Sequence, residues 1–284
     1  MFYLLKFINK TYWKSIILPV MSFIFPLLYV AIIGGIYNIL GQVTPSIILP
    51  AAWSIGIMIT TMICIPQMIF EMRQSIIIKR LGVSKYKPWM FYLLIILFFV
   101  LVNFVSYACI IAVSYLVLIG NWIFVTELLM FAHYGEVAFS LFISFVMGLS
   151  IGLFFVSIFK SVLQIQIVGF ILVIISLILS GMMVPMAMTY TMNASYRILS
   201  FISPFTYTNS LLTESWFHYQ YDFNVYQSSI FSPGDVYMTS FVNSYGSATV
   251  AFTTWQKWMN ILIPPFLTVF FTIFSLSKLS FSTR

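Results

Sequence analysis

The chain has 284 residues, 62% hydrophobic and only 7% charged, with a net charge of +7 and a mean hydropathy of +1.05. A soluble domain could not cover its surface with so little charge, and several apolar runs exceed the roughly 18 residues that cross a bilayer core. Nucleic-acid binding is excluded as well, because the basic residues cluster at the ends of apolar runs rather than on one folded polar face.

In chain order, residues 1–14 place Lys6, Lys10 and Lys14 at i, i+4, i+8, with Leu4, Leu5, Ile8 and Tyr12 on the opposite side. That pattern predicts an amphipathic helix in the membrane interface, its lysines toward water and anionic headgroups. An ordinary basic flank that only sets orientation is the competing reading. No small-residue cleavage pattern follows, so the start reads as a retained anchor. The first span is expected at 16–37, with Pro19 and Pro26 inside it, and the second at 47–69.

Residues 70–87 then carry five of the thirteen basic residues. Glu71 sits where a helix N-terminus favours an acid, Lys79 and Arg80 fall in a last turn, Gly82 is a stop, and Pro88 opens the next element. Ile76, Ile77 and Leu81 share one side, which predicts a short amphipathic helix between two spans. It reads either as a positive-inside anchor or as a docking element for a cytosolic partner. The third span is expected at 89–119, the fourth at 137–159, the fifth at 163–184 and the sixth at 260–279. The fold class is therefore an all-α polytopic membrane protein, one domain over 1–284 with six transmembrane helices; the ten-residue alternation of barrel strands is missing.

Six spans put both termini on one face. Only Arg197 and Lys257 among the basic residues fall on the other face, which holds Glu127, Glu136, Glu214, Asp222 and Asp235. The positive-inside rule then predicts cytosolic termini.

No enzyme signature is present: no P-loop, no H-E-x-x-H, no G-x-S-x-G and no paired intramembrane carboxylates. Deep ionisable groups are nearly missing, which argues against proton or ion coupling. Cys64 and Cys109 read as buried packing thiols, and His133 and His218 as solitary residues rather than metal ligands. Ser144, Gly148 and Gly152 form a small-residue stripe suited to close helix packing, within one chain or across a dimer seam. Gln164 and Gln166 read as interface residues or as contacts at the inner mouth of a pathway. Residues 186–201 are too short to span and too apolar for a free loop, which suits a hairpin dipping into the outer leaflet. The aromatic-rich stretch 217–254 reads as a small exofacial cap or a solvated loop.

Taken together, these segments resemble the permease subunits of ATP-binding-cassette transporters of the type-2 export class. Glu71-x-Arg73…Lys79-Arg80-Leu81 then Pro88-Trp89 looks like that family's coupling helix. Ile151-Gly152…Phe159-Lys160-Ser161-Val162…Gln164…Gln166 looks like its junction of fourth and fifth spans. Leu179-Ser180-Gly181…Pro185 and Ser203-Pro204-Phe205-Thr206-Tyr207 look like its fifth-span exit and re-entrant hairpin. The resemblance reaches about Leu212, and 213–259 departs from a minimal member.

It implies a non-catalytic transport subunit in the plasma membrane, paired with a second permease copy or paralogue and with ABC ATPase subunits that hold ATP and Mg. No cofactor is expected on this chain itself. Glu71, Arg73, Lys79 and Arg80 would be polar contacts to the ATPase, and Ile77 and Leu81 apolar ones. The helix bearing Lys6, Lys10 and Lys14 would be the interfacial connecting helix. Trp53, Met58, Met62, Phe170 and Ile174 would line the path, and Pro185, Pro204 and Tyr207 an exofacial gate within 185–259. The cargo would be apolar or amphipathic: a lipid, lipid-linked glycan, peptide or drug. A non-transport immunity or assembly factor, binding through the exofacial segment, is the alternative.

Overall fold

A computed structural model describes residues 2–39, 45–74, 88–117, 125–126, 129–130, 132–180, 182, 199–217 and 254–278. Helix α1 covers Phe2–Lys14. Helix α2 runs Ile17–Pro19, a π-turn at Val20–Ile24, then Phe25–Ile39. Helix α3 is built the same way, as Pro45–Ile59, a π-turn at Thr60–Cys64, then Ile65–Gln74. Next come α4 (Pro88–Val117), α5 (Tyr134–Ile158), α6 (Val162–Leu179), the short α7 (Pro204–Phe217) and α8 (Thr254–Lys278). Six helices are long and apolar enough to cross a membrane, and the described residues contain no strand. The expected all-α, six-span fold is the one observed.

Helices α5 and α8 start at Tyr134 and Thr254, ahead of the expected 137 and 260, and two other boundaries bear on the site. Phe70–Gln74 form the last turns of α3, so Glu71 lies in the body of the second span's helix and not at the start of a separate one. The apolar run simply continues the helix: Met68, Ile69 and Met72 are all buried on its inner side. The fifth span ends at Leu179, short of the expected Val184. There the Ser180 N–H bonds Ser176 O at 2.9 Å, and its hydroxyl donates to the same carbonyl. These bonds satisfy an acceptor that a helix end would otherwise leave open.

Helix α3 is the axis of the molecule, buried along its whole membrane-length segment. Helices α2, α4, α5, α6 and α7 surround it, and α8 packs outside against α5 and α7. Its centre shows why the packing is so close. Each π-turn ends one residue before an X-Pro step, Phe25-Pro26 in α2 and Ile65-Pro66 in α3. Proline has no N–H, so carbonyls one turn earlier lose their helical donor. A π-turn redirects such carbonyls sideways.

In α2 the carbonyl of Ser22 is taken by the Ser106 hydroxyl of α4 at 3.1 Å. In α3 the carbonyls of Thr61 and Met62 face glycines. A Cβ built on Gly152 of α5 would lie 2.2 Å from Thr61 O and 2.8 Å from Pro66 Cγ. One built on Gly169 of α6 would lie 3.1 Å from Met62 O, and one on Gly148 would lie 2.2 Å from Thr61 Oγ1. Only a Cα hydrogen fits at Gly148 and Gly152, and Gly169 is tight, so α5 and α6 notch onto the π-turn through Cα–H···O contacts. The Gly148 and Gly152 positions of the stripe are thus filled within the same chain, by α3 and, at Gly148, by Phe205 of α7 as well. At the same level Asn103 Nδ2 of α4 donates to Thr60 Oγ1 at 3.0 Å.

Gly152→Ala should lower stability by about 1–3 kcal/mol through overpacking against backbone. Gly35→Ala, where nothing lies within 4 Å of the added carbon, should be neutral or stabilising. Thermal unfolding of the purified protein in detergent measures both.

Candidate functional site: the polar junction at the α1 end of the bundle

Helix α1 has two faces, as its lysine spacing requires. Lys6, Lys10 and Lys14 are exposed, while Ile8 and Tyr12 are buried. The buried face is docked on protein. The Tyr12 ring meets Phe98 and Phe99 of α4 edge-on at centroid distances of 5.3 and 5.9 Å. Its hydroxyl shares a hydrogen bond with Ser22 inside the α2 π-turn. Burial raises the phenol's pKa well above its ordinary value, against the smaller lowering effect of Ser22, so the hydroxyl stays neutral. Trp13, 63% exposed, and Ile16, 80% exposed, lie beside the docked face, where an interfacial aromatic belt would sit.

Ser15, between α1 and α2, opens a chain of polar contacts. Gln67 of α3, 2% exposed, donates from Nε2 to Glu71 Oε1 at 2.7 Å and reaches Ser15 Oγ at 3.4 Å. Its Oε1 accepts from Gln166 Nε2 of α6 at 2.9 Å. Three elements therefore meet on one buried amide. The neighbouring Gln164 has a different task. The Ser161 hydroxyl accepts from Gln164 N–H at 3.3 Å, and Gln164 Oε1 accepts from Lys160 N–H at 3.2 Å. Ser161 is thus the N-cap of α6, and the Gln164 side chain reaches back to the N–H one residue before it.

The far end is held by amides as well. Asn209 of α7 accepts from Ser54 Oγ of α3 at 3.1 Å and donates to Ser180 O at 3.0 Å. Asn260 of α8 donates to Ser210 Oγ at 2.9 Å. Pro204 opens α7, and the buried Tyr207 donates its hydroxyl to Phe201 O at 2.8 Å.

The expected site residues separate into groups. Glu71 is half-buried in the junction, and Arg73 lies in the last turn of α3. Ile77, Lys79, Arg80, Leu81 and Pro185 lie outside the described residues, as do most of the expected hairpin and all of the stretch 218–253. Trp53, Met58 and Met62 are buried in the closed core, with Trp53 stacked on Tyr107 at 4.7 Å. Phe170 packs edge-on against Phe25 at 6.3 Å, and Ile174 faces outward, so these five do not share one surface. Cys64 and Cys109 are free thiols, Cys109 only half-buried. His133 lies 3.7 Å from Glu136, one turn along α5. Among the described residues no cluster could hold a metal ion.

Gln67, Asn103, Asn209 and Gly169 carry key contacts that the sequence reading passed over. A polar amide inside an apolar run is itself the signal, because a membrane interior tolerates it only with a partner.

A core helix wholly enclosed by five others, an amphipathic helix docked at one end and a helix tucked in at the other define a multi-pass helical membrane protein. Residues 1–217 match the family described as ABC-2 type transporter. The chain belongs to that family and is a membrane permease of an ABC transporter. No curated protein and no solved structure matches it.

Tyr12→Ala should cost about 3–5 kcal/mol of packing and release α1, whereas Tyr12→Phe should cost about 0.5–1.5 kcal/mol for one hydrogen bond. Hydrogen exchange of residues 2–14 in detergent measures this, with fast exchange expected in the alanine variant alone.

Proposed function

We propose that this chain is the membrane subunit of an ATP-driven exporter that moves apolar or amphipathic cargo out of the cytosol. A separate ABC ATPase supplies the energy, holding ATP and Mg. Membership of the ABC-2 type transporter family carries this reading. The near lack of charge in the spans supports it from the other side, since an ion gradient would have little to act on.

In this reading both termini are cytosolic and the membrane is the plasma membrane. Residues 70–87 are the coupling segment, with Glu71, Arg73, Lys79 and Arg80 as its polar groups and Ile77 and Leu81 as its apolar ones. Its first residues, up to Gln74, are the last turns of α3, so a push on the segment acts on the chain of the central helix. Lys6, Lys10 and Lys14 hold α1 at the anionic headgroup layer. A second permease, identical or paralogous, completes the complex. Trp53, Met58, Met62, Phe170 and Ile174 line the path in the transporting state, and Pro185, Pro204 and Tyr207 gate the outer side. Cargo meets mainly apolar side chains, which favours lipids, lipid-linked glycans, hydrophobic peptides or drugs over ions.

Co-expression with the ABC ATPase encoded nearest the gene tests this. The parent chain should retain the ATPase through purification. Leu81→Asp or the Lys79→Ala/Arg80→Ala double variant should lower its recovery about tenfold, equivalent to ~1.4 kcal/mol. A cysteine placed at Lys85 should be inaccessible to an impermeant thiol reagent in intact cells. Labelling from outside, or unchanged ATPase recovery in both variants, overturns the reading.

A further inference from the structure

We propose that Gln67 and Glu71 act inward as positioning residues: the Glu71 carboxylate sets the Gln67 amide so that it grips Gln166 and yokes α6 to the coupling end of α3. The inference rests on the exporter reading and adds to it the residues that pass the movement on. It also gives Glu71 a different task from an ATPase contact.

The hydrogen bonds run in one direction. Gln166 donates to Gln67, and Gln67 donates to Glu71 and Ser15, at 2.9, 2.7 and 3.4 Å respectively. An amide has one donor end and one acceptor end, while a carboxylate only accepts. Turning Gln67 over would set its oxygen against the Glu71 oxygen. Gln166 could turn over in response, but it could not relieve that clash. The carboxylate is therefore the group that fixes the order, and its bond at 2.7 Å has the length of a charge-assisted contact.

Burial makes the link stiff. Gln67 is 2% exposed, so a broken bond leaves its amide without water as a substitute partner. The apolar contacts lie on the same side of α6. Gly169, three residues beyond Gln166, lies tight against the α3 π-turn, and Ile165, next to Gln166, is fully buried. A polar clip and a steric notch thus hold one face of α6 to α3. At the other end of this segment, Glu71 sits three residues before the last described residue of α3. Displacing the coupling stretch pulls on Glu71 first, and through Gln67 on α6.

The test uses the complete complex with its ATPase. Spin labels go on the exposed Leu163 of α6 and Met90 of α4, in a Cys64→Ser/Cys109→Ser background. Their separation is compared without nucleotide and after trapping with ATP and vanadate. The parent should show a shift. Gln67→Leu, Gln166→Leu and Glu71→Leu should lose most of that shift while still recovering the ATPase. Glu71→Gln, which can still accept but can also turn over, should retain less of the shift than the parent and more than Glu71→Leu.

In the chain alone, a thermal-unfolding cycle over Gln67→Leu, Gln166→Leu and the double variant should be non-additive. A full shift in Gln67→Leu, or loss of ATPase recovery in Glu71→Leu, overturns the inward role and leaves the exporter reading intact. An additive cycle overturns the bridge itself. If the parent chain binds no ATPase, the exporter reading falls and this role falls with it, even where the cycle is non-additive.

Discussion

The carbonyls released by Pro66 are the constraint around which the bundle is arranged. In hydrocarbon a backbone acceptor cannot turn to water, so a helix that contains proline needs a neighbour to answer it. Helix α3 is enclosed on all sides, which makes the demand absolute. The answer is a π-turn that swings Thr61 O and Met62 O sideways, and glycines on two flanking helices that let those oxygens meet Cα hydrogens. Helix α2 meets the same demand differently, with the Ser106 hydroxyl reaching Ser22 O. The positions of α4, α5 and α6 around the core follow from these contacts.

Polar pairing then fixes the two ends of α3 independently. Ser54 meets Asn209 at one end, and Gln67 meets Gln166 at the other. Each such pair is worth only about 0.6 kcal/mol net in a membrane, because an unfolded helix finds other partners there. Their larger effect is on register. An amide that has a partner at one rotation of the helix has none at the next, so α3 cannot slide or rotate by small steps. The glycine notches act in the same sense at the centre. Helix α3 is held at three levels, and its movement must be shared with the helices that hold it.

Much of this was legible in the residues, and the remainder was not, for physical reasons. Lysines at fourfold spacing and Ile8 with Tyr12 opposite them gave the two faces of α1, and Pro88 marked the start of α4. The run Gly148…Gly152 marked a close approach, but periodicity could not say whose helix fills it; that depends on which helix lies next to α5. The boundary at Glu71 was misread because an acid with basic residues beyond it satisfies helix-start statistics, while the buried Met68 and Met72 continue the span. Gln67 was overlooked because a single amide among apolar residues has no local pattern. Its meaning comes from Gln166, ninety-nine positions away, and Gln164, close to Gln166 in sequence, faces a different partner.

These features lead to a mechanical conclusion about how a membrane subunit can work with so few charges in its described spans. Carboxylates and lysines in a span respond to protons and voltage; amides, hydroxyls and glycines do not. A core held by the second kind changes state only when force is applied to a helix that is already gripped. Helix α3 suits that role, since it runs unbroken from the Asn209 contact through the π-turn to Glu71 and on to Gln74. The two π-turns lie against each other in the middle of the bundle, where the helices hold fewest regular backbone bonds. Force entering at the Glu71 end would meet a stiff clip first and a compliant layer second. That order favours displacement of the α3–α6 pair as one body on the α1 side, with bending confined to the π-turn layer above it.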